Sequence, residues 1–360
     1  MPTSSQNPPE APPAERRGDD VDREGGELEA RDRKAEHIDL ALERRMQAPR
    51  PELDRLRFGH CALPEIDFDD VELGCEFLGR RLRAPLLVSC MTGGTGAAEM
   101  INRHLAEAAE YCRIALGVGS QRKALEDPET ARSFEVRHHA PSVPVVGNLG
   151  AVQLNYGYGV AECRRAIDMI DADALALHLN PLQEAIQPEG QTRFANLLPK
   201  IGEVVGGLGA PVIVKEIGNG ISGGVGRRLR DVGVEIVDTA GSGGTSWARI
   251  EASRADDLDL GELFADWGVS TATSIRELAA IDGLTVIGSG GLRTGIDVAK
   301  AIALGASLVG MAYPFLEAAT ESAEAVVERI ERITRELRIT MFCLGVRTLD
   351  ELRRVPLHAA

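Results

Sequence analysis

The stretch His178-Leu179-Asn180-Pro181-Leu182-Gln183-Glu184 sets four polar side chains directly behind a short apolar run, residues 174–177. Such a run reads as a buried parallel strand, and Pro181 stops it. The carboxyl ends of parallel strands are where α/β folds carry their chemistry. His178 and Glu184 can exchange protons or bind metal, whereas Asn180 and Gln183 orient a ligand without titrating. Taken alone, the stretch also reads as the start of a helix with incidental polar residues.

Two glycine-rich turns point to an anion. Gly241-Ser242-Gly243-Gly244-Thr245 and Gly288-Ser289-Gly290-Gly291-Leu292-Arg293 each follow an apolar run. Glycine lets backbone N–H groups approach a phosphate closely, and a following helix adds its positive end. Two such turns in tandem, the second with an arginine, form a phosphate signal, against the alternative of plain tight turns. Lys215 closes another apolar run, where a buried ammonium needs an anionic partner. A flavin would supply one in its N1–C2=O edge on reduction; a salt bridge to Glu216 or another strand-end carboxylate would serve equally. Glu184 with waters and substrate phosphates fits the pattern of Mg²⁺, or is an ordinary glutamate in a first helical turn. Residues 218–223 match GxGxxG, with Asp238 about 20 residues on. The charged Lys215-Glu216 pair before it and its place inside a longer series argue against a dinucleotide site.

The elements that must position these groups are regular. Candidate strands fall at 86–89, 114–117, 143–147, 174–178, 212–215, 235–238, 285–288 and 307–311. Helical periodicity fills 99–111, 159–170, 194–205, 223–231 and 295–304 between them, and 323–337 forms a terminal amphipathic helix. Eight strands in βα alternation with right-handed crossovers close a (β/α)8 TIM barrel. Every polar or glycine-rich cluster then falls at one end of it. The connection from Gly241 to Gly283 is long, an insertion after strand six holding extra structure or a lid. Residues 32–46 read as a helix with Lys34 and His37 on one face, which alone is also a plain solvated basic face. Residues 1–28 are Pro-, Glu-, Asp- and Gly-rich and read as a disordered acidic arm, leaving 29–360 as the barrel domain.

The 360 residues, 44% hydrophobic, suffice for a large core, and 39 glycines suit many short turns. A net charge of −15 argues against nucleic acid and anionic membrane as partners. Six cysteines without a CxxC pair or zinc spacing read as reduced thiols in a cytoplasmic protein. No apolar run reaches the length of a membrane span, and the amino terminus carries neither an export nor a transit signal.

Taken together, the segments closely resemble type 2 isopentenyl-diphosphate isomerase, the flavin-dependent family. The matching residues are Arg33-Lys34-x-x-His37, Met91-Thr92-Gly93-Gly94, Gly119-Ser120-Gln121-Arg122, Asn148-Leu149-Gly150, the His178–Glu184 stretch and Gln187-Pro188-Glu189-Gly190. They continue with Val214-Lys215-Glu216-x-Gly218-Asn219-Gly220, Gly243-Gly244-Thr245-Ser246-Trp247 and Ser289-Gly290-Gly291-Leu292-Arg293-Thr294-Gly295. Residues 1–28 have no counterpart, and Cys90 stands where serine is expected. The resemblance implies a barrel holding FMN, reduced by a donor such as NADPH. It also implies a Mg²⁺-dependent 1,3-allylic shift between isopentenyl and dimethylallyl diphosphate. The implied FMN contacts are Met91, Thr92, Gly93, Ser120, Asn148, Lys215, Thr245, Gly290, Gly291, Ala312 and Tyr313. Ser242, Leu292 and Arg293 join them from the two glycine turns. Arg33, Lys34, His37, Gln121 and Arg122 are implied contacts of the diphosphate substrate, with His178, Asn180 and Gln183 at the reacting end and Glu184 on the metal. A homo-oligomer, tetramer or octamer, is the expected assembly.

An alkene is a very weak base, and no Asp or Glu pair is apparent for two proton steps. Reduced flavin, electron-rich and carrying N5–H, is therefore the expected proton relay, with Gln183 positioning rather than ionising. Two rivals remain. One is an FMN-dependent oxidoreductase on the same barrel, which needs a base, commonly a late histidine; no histidine lies between His178 and His358. The other is a phosphate-binding barrel without catalysis, since fold does not settle function.

Overall fold

A computed structural model describes residues 36–359. Eight parallel strands close on themselves: β1 (Leu86–Val88), β2 (Ala115–Gly117), β3 (Val145–Gly150), β4 (Ala174–Leu179), β5 (Val212–Glu216), β6 (Ile236–Asp238), β7 (Thr285–Ser289) and β8 (Leu308–Met311). Closure is made by β8 on β1, with Val309 opposite Leu86. This is the expected TIM barrel. The strands are apolar on both faces because both are covered. Leu87, Ala115, Val146, Ala174, Ala176, Ile213, Ile287 and Leu308 fill the barrel interior. Their neighbours Leu86, Val88, Leu116, Val145, Leu175, Leu177, Val214 and Val309 pack outward under the helices.

The helical layer consists mainly of α1 (Gly96–Cys112), α2 (Val160–Ile170), α3 (Leu197–Leu208), α4 (Gly223–Asp231), α5 (Trp247–Arg254), α6 (Thr271–Ala279), α7 (Gly295–Ala303), α8 (Tyr313–Glu321) and α9 (Ala323–Phe342). The second connection has no long helix, only Arg122–Glu126 and a 3-10 stretch Pro128–Phe134. The long sixth connection is itself helical: α5, a short helix Leu258–Leu263, and α6. α9 runs five residues past the expected 337, carried by Met341, which is fully buried.

Three features were not foreseen. An antiparallel ribbon, Cys75–Phe77 with Arg80–Leu82, inserts Phe77 and Leu82 into the amino-terminal end of the barrel. Leu56–Phe58 pairs with Leu357–Ala359, so the segment before the barrel meets the last described residues. Segment 44–50 crosses the carboxyl-terminal mouth: its Ala48 N–H donates to Gly244 O at 2.7 Å and Ser246 N–H donates to Met46 O at 2.7 Å. Of the expected helix 32–46, residues 32–35 lie outside the described residues, 36–42 are helical, and a 3-10 turn Arg44–Met46 follows. Residues 1–28, Arg33 and Lys34 lie outside the described residues.

α7 sits so close to α9 that its first residue has no room for a side chain. A Cβ on Gly295 would fall 2.3 Å from Leu337 N and 2.4 Å from Ile333 O, both backbone atoms that cannot yield. Gly295→Ala should therefore destabilise the barrel by about 1–3 kcal/mol, measured as a shift of the urea unfolding midpoint at unchanged slope.

Candidate functional site

A cavity of about 1080 Å³ opens at the carboxyl-terminal end of the strands. Its lining includes nearly every residue expected there and described: His37, Met91, Thr92, Gly93, Ser120, Arg122, Asn148, His178, Asn180, Gln183, Glu184, Lys215, Thr245, Gly290, Gly291, Leu292, Arg293, Ala312 and Tyr313. Two expected residues do not face it. Gln121 has no exposed surface; its Oε1 accepts from Asn148 N–H at 2.9 Å and its Nε2 donates to Ala166 O at 2.7 Å. It is a strut between β3 and α2, because the strand-end turn points it outward from the barrel while Arg122 points in. Ser242 is turned away too, its hydroxyl donating to Asp266 O at 3.2 Å and its N–H to Val269 O.

On the β6–β8 side the two glycine turns press backbone against backbone. A Cβ on Gly291 would lie 2.0 Å from Gly243 O, and one on Gly290 2.2 Å from Gly241 O. Both residues also hold positive φ, +69° and +108°, so side chains are excluded twice over. Arg293 closes this hollow; its guanidinium donates to Gln47 Oε1 and Gly243 O, each at 3.3 Å. Asp297 is spent elsewhere, on Arg50 at 2.7 Å and on the Arg293 and Thr294 N–H groups that start α7. The start of α8, at Ala312-Tyr313-Pro314, has no side-chain cap. A cation bound only by carbonyl-type acceptors beside an uncapped helix start suits a phosphate.

At the barrel centre, Lys215 is buried and its Nζ donates to the main-chain O of Glu216 at 2.6 Å. Asp238 lies in register beside it on β6 and receives Ser289 Oγ–H. The alternative of a Lys215–Glu216 salt bridge is not realised. Glu216 Oε2 instead accepts the N–H groups of Ile217 and Gly218 at 2.7 Å, and that of Asn219. This also disposes of the GxGxxG match, since the N–H groups of that loop already hold a carboxylate. Ser89 Oγ, at the end of β1, is buried without a partner and lines the same cavity.

His178 sits where Gly150 leaves space for its ring, Nε2 lying 3.2 Å from the position of a Cβ there. Its Nδ1 is 2.8 Å from Asn148 Oδ1. With the amide so oriented, the ring proton sits on Nδ1 and Nε2 is an acceptor. Burial, aided by Lys215, pushes its pKa down to about 3. His178 is therefore neutral at physiological pH, able to orient a ligand but neither a strong acid nor an effective base.

On the β3–β4 side the polar side chains form one continuous chain. Asn180 Nδ2 donates to Glu184 Oε1 at 2.8 Å and to Gln183 Oε1 at 3.0 Å. Gln183 Nε2 donates to Glu251 Oε1 at 2.7 Å. Glu251, on α5 and with no exposed surface, also meets His37 Nε2 at 3.2 Å and Arg254 at 2.7 Å. Burial alone would raise its pKa, but donors from His37, Gln183 and Arg254 outweigh this and hold it below the usual carboxylate value. Glu184 Oε2 accepts Gln191 N–H at 2.6 Å, a reach that needs Gly190, where a Cβ would fall 1.8 Å from Glu184 O. Gln191 in turn holds Gln153 at 2.6 Å and Arg122 at 3.2 Å. Sequence reasoning did not single out Gln47, Arg50, Glu251 or Arg254; only the crossing of 44–50 and the inward face of α5 bring them to the mouth.

The donor set fits the two groups that resemblance implies. The hollow beside Arg293, the buried Lys215 and the orphaned Ser89 hydroxyl suit a phosphate-bearing ring cofactor. Among the described residues no cluster of three His, Cys, Asp or Glu could hold a metal alone. A metal at Glu184 would need further oxygens from water and substrate, a pattern that suits Mg²⁺.

Comparison with known proteins agrees in outline. A family model described as FMN-dependent dehydrogenase matches residues 198–359. The isopentenyl-diphosphate delta-isomerase of a Nostoc species is 50% identical over 89% of this chain and 93% of its own. That of a Synechococcus species is 51% identical over 89% and 94%. Among solved structures, a lactate oxidase from Pediococcus acidilactici superposes with a TM-score of 0.65 at 17% identity, covering 96% of both chains. A mandelate oxidase bound to (S)-2-phenylpropionate gives 0.62 at 21% identity, covering 91% of this chain and 98% of its own. At such identities the likeness to the oxidases speaks for the fold alone.

The neutrality of His178 has a measurable consequence. Its folded pKa lies below the unfolded value of about 6.5, so the unfolded chain takes up protons first. The stability it allows is complete above about pH 6.5 and is lost as pH falls from there towards 3. Over that window the melting temperature of the wild type should fall more steeply than that of His178→Asn; parallel curves would show that His178 protonates freely in the fold.

Proposed function

The chain belongs to the isopentenyl-diphosphate delta-isomerase family, and on that premise we propose that it interconverts isopentenyl and dimethylallyl diphosphate with reduced FMN and Mg²⁺. The observation that carries this reading is the pair of anion-suited regions on opposite sides of one cavity. The glycine turns and Arg293 take a cofactor phosphate, and the Glu184 network takes a metal-bound diphosphate. About 1080 Å³ is room for both together.

Bound and reduced, FMN would supply an electron-rich ring with an exchangeable proton, so that no net oxidation is needed. Arg293 and the N–H groups of Gly290, Gly291 and Tyr313 hold its phosphate. Lys215 balances anionic charge on the ring. Met91, Thr92, Gly93, Ser120 and Asn148 line the cavity on the β1–β3 side. Glu184 holds Mg²⁺ by one carboxylate, leaving the remaining positions to water and diphosphate oxygens. Arg122 and His37 bind the diphosphate, joined by Arg33 and Lys34 as implied by the resemblance. That grip is remote from the reacting carbons, so its binding energy orients the alkene. Gln183, held from both sides by Asn180 and Glu251, faces the substrate as a fixed dipole and does not ionise. His178 Nε2 accepts a hydrogen bond from the ligand. Ile38, Ala41, Trp247 and Leu316 supply the apolar part of the lining, which excludes water from a developing cation. With this reading go an NADPH-type reductant, a cytoplasmic location and a homo-oligomeric state, tetramer or octamer. Among the described residues no helix is long and apolar enough to cross a membrane.

The oxidoreductase reading loses ground at His178. With a pKa near 3 this histidine, which among the described residues shares the cavity lining with His37 alone, is a poor base for a hydroxy-acid proton.

An anaerobic assay with isopentenyl diphosphate, FMN, NADPH and Mg²⁺, scored for dimethylallyl diphosphate, tests the proposal directly. Product should require both reductant and metal; FMN bleached by NADPH without product would instead favour the oxidoreductase. Glu184→Gln should raise the Mg²⁺ concentration needed for half-maximal rate by on the order of 10–100-fold. Arg293→Ala removes charged hydrogen bonds of about 1.5–3 kcal/mol and should weaken FMN binding about 10–100-fold, read by flavin fluorescence; retention of FMN affinity would place the phosphate elsewhere.

A further inference from the structure

Residues 36–50 lie along residues 243–254, and they are fastened at two chemically different places. At the glycine turns, Gln47 pairs with Thr245 as an antiparallel bridge. The Gln47 side chain is used at both atoms: Nε2 donates to Thr245 Oγ1 at 2.9 Å, and Oε1 accepts from Arg293 at 3.3 Å. Nearby, Arg50 donates to Gly291 O at 2.9 Å. At the far end, Glu36 meets Arg254 at 3.1 Å and His37 meets Glu251 at 3.2 Å. Midway, Arg249 donates to the carbonyls of Arg45 and Gln47, each at 3.1 Å. The rod joining the two places is α5, about 12 Å of helix.

Arg293 and Thr245 are the groups an anion in the glycine hollow would meet, and both are partners of Gln47. Ordering them with a ligand orders the acceptor and donor that Gln47 needs. Occupancy of the hollow and docking of 36–50 must then favour each other. Because His37 is part of the docked segment, the effect reaches the other side of the cavity.

Resting on the FMN reading above, we propose that Gln47 is a positioning residue that couples occupancy of the cofactor phosphate site to the seating of the His37 helix over the substrate. The coupling belongs to the phosphate and not to the ring, so riboflavin lacks it. By reciprocity, a diphosphate ligand that engages His37 tightens FMN binding by the same factor.

Hydrogen exchange of peptides covering 36–50 tests this in full-length enzyme stripped of flavin, then given saturating FMN or riboflavin. The proteins are the wild type, Gln47→Ala and the near-isosteric Gln47→Met, with flavin binding followed separately by fluorescence quenching. FMN should slow exchange at 36–50 in the wild type about tenfold, the equivalent of one to two hydrogen bonds, and riboflavin should leave it unchanged. Both variants should still quench FMN but show no slowing, and in turnover their KM for isopentenyl diphosphate should rise more than kcat falls. Equal slowing by FMN in wild type and variants, or equal slowing by riboflavin and FMN, overturns the coupling while leaving the cofactor reading intact. Absence of quenching by the wild type sinks the cofactor reading and the coupling with it.

Discussion

A carboxylate with no contact to solvent organises the mouth of this barrel. Glu251 on α5 could not stay ionised in that position without compensation, because burial of an unpaired charge is among the costliest things a fold can do. It is approached from three parts of the chain: Arg254, one turn along its own helix, and Gln183, on the short helix Pro181–Ile186 after β4, donate to it, and Nε2 of His37, on the helix before the crossing segment, lies 3.2 Å away. Removing Arg254 or Gln183 leaves the carboxylate short of a donor, so the three segments converge on one buried charge. Asn180 extends the constraint to Glu184, and Gln191 extends it to Arg122 and Gln153. The amides in this chain have no freedom to flip, since a carboxylate at each end demands N–H groups.

The other side of the cavity rests on a steric condition. The turns after β6 and β7 touch through their backbones, and Gly290 and Gly291 hold positive φ where they do so. The resulting hollow presents N–H groups and Arg293, whose carboxylate neighbour Asp297 is taken up by Arg50. One cavity is thereby divided into a rigid backbone cradle and a side-chain network, joined by α5 and the buried Lys215. In the proposed function this division assigns the two phosphorylated ligands to different groups.

Much of this is legible in the order of residues. Eight apolar runs with period-matched segments between them announce the barrel, because a strand covered on both faces must be apolar throughout. The polar clusters at their ends are local in sequence, so the strand-end clusters from Met91 to Arg293 could be read off directly, whereas Ala312 and Tyr313 came only with the family resemblance. Gln121 shows where that reading stops. It stands between Ser120 and Arg122, yet the turn sends it behind β3 to brace Asn148, and no pattern in three adjacent polar residues says which faces in. Ser242 fails for the same reason.

What the sequence alone determined, then, is the set of short-range relations: strand, turn and cluster, each settled by residues a few positions apart. Tertiary structure decided which groups meet across the chain. Gln47 with Arg293 and His37 with Glu251 depend on where the backbone crosses the mouth and on what burial will tolerate. It also decided the charge of His178, since an imidazole is neutral or cationic according to its surroundings, and those surroundings come from β3 and β5, not from its neighbours in the chain.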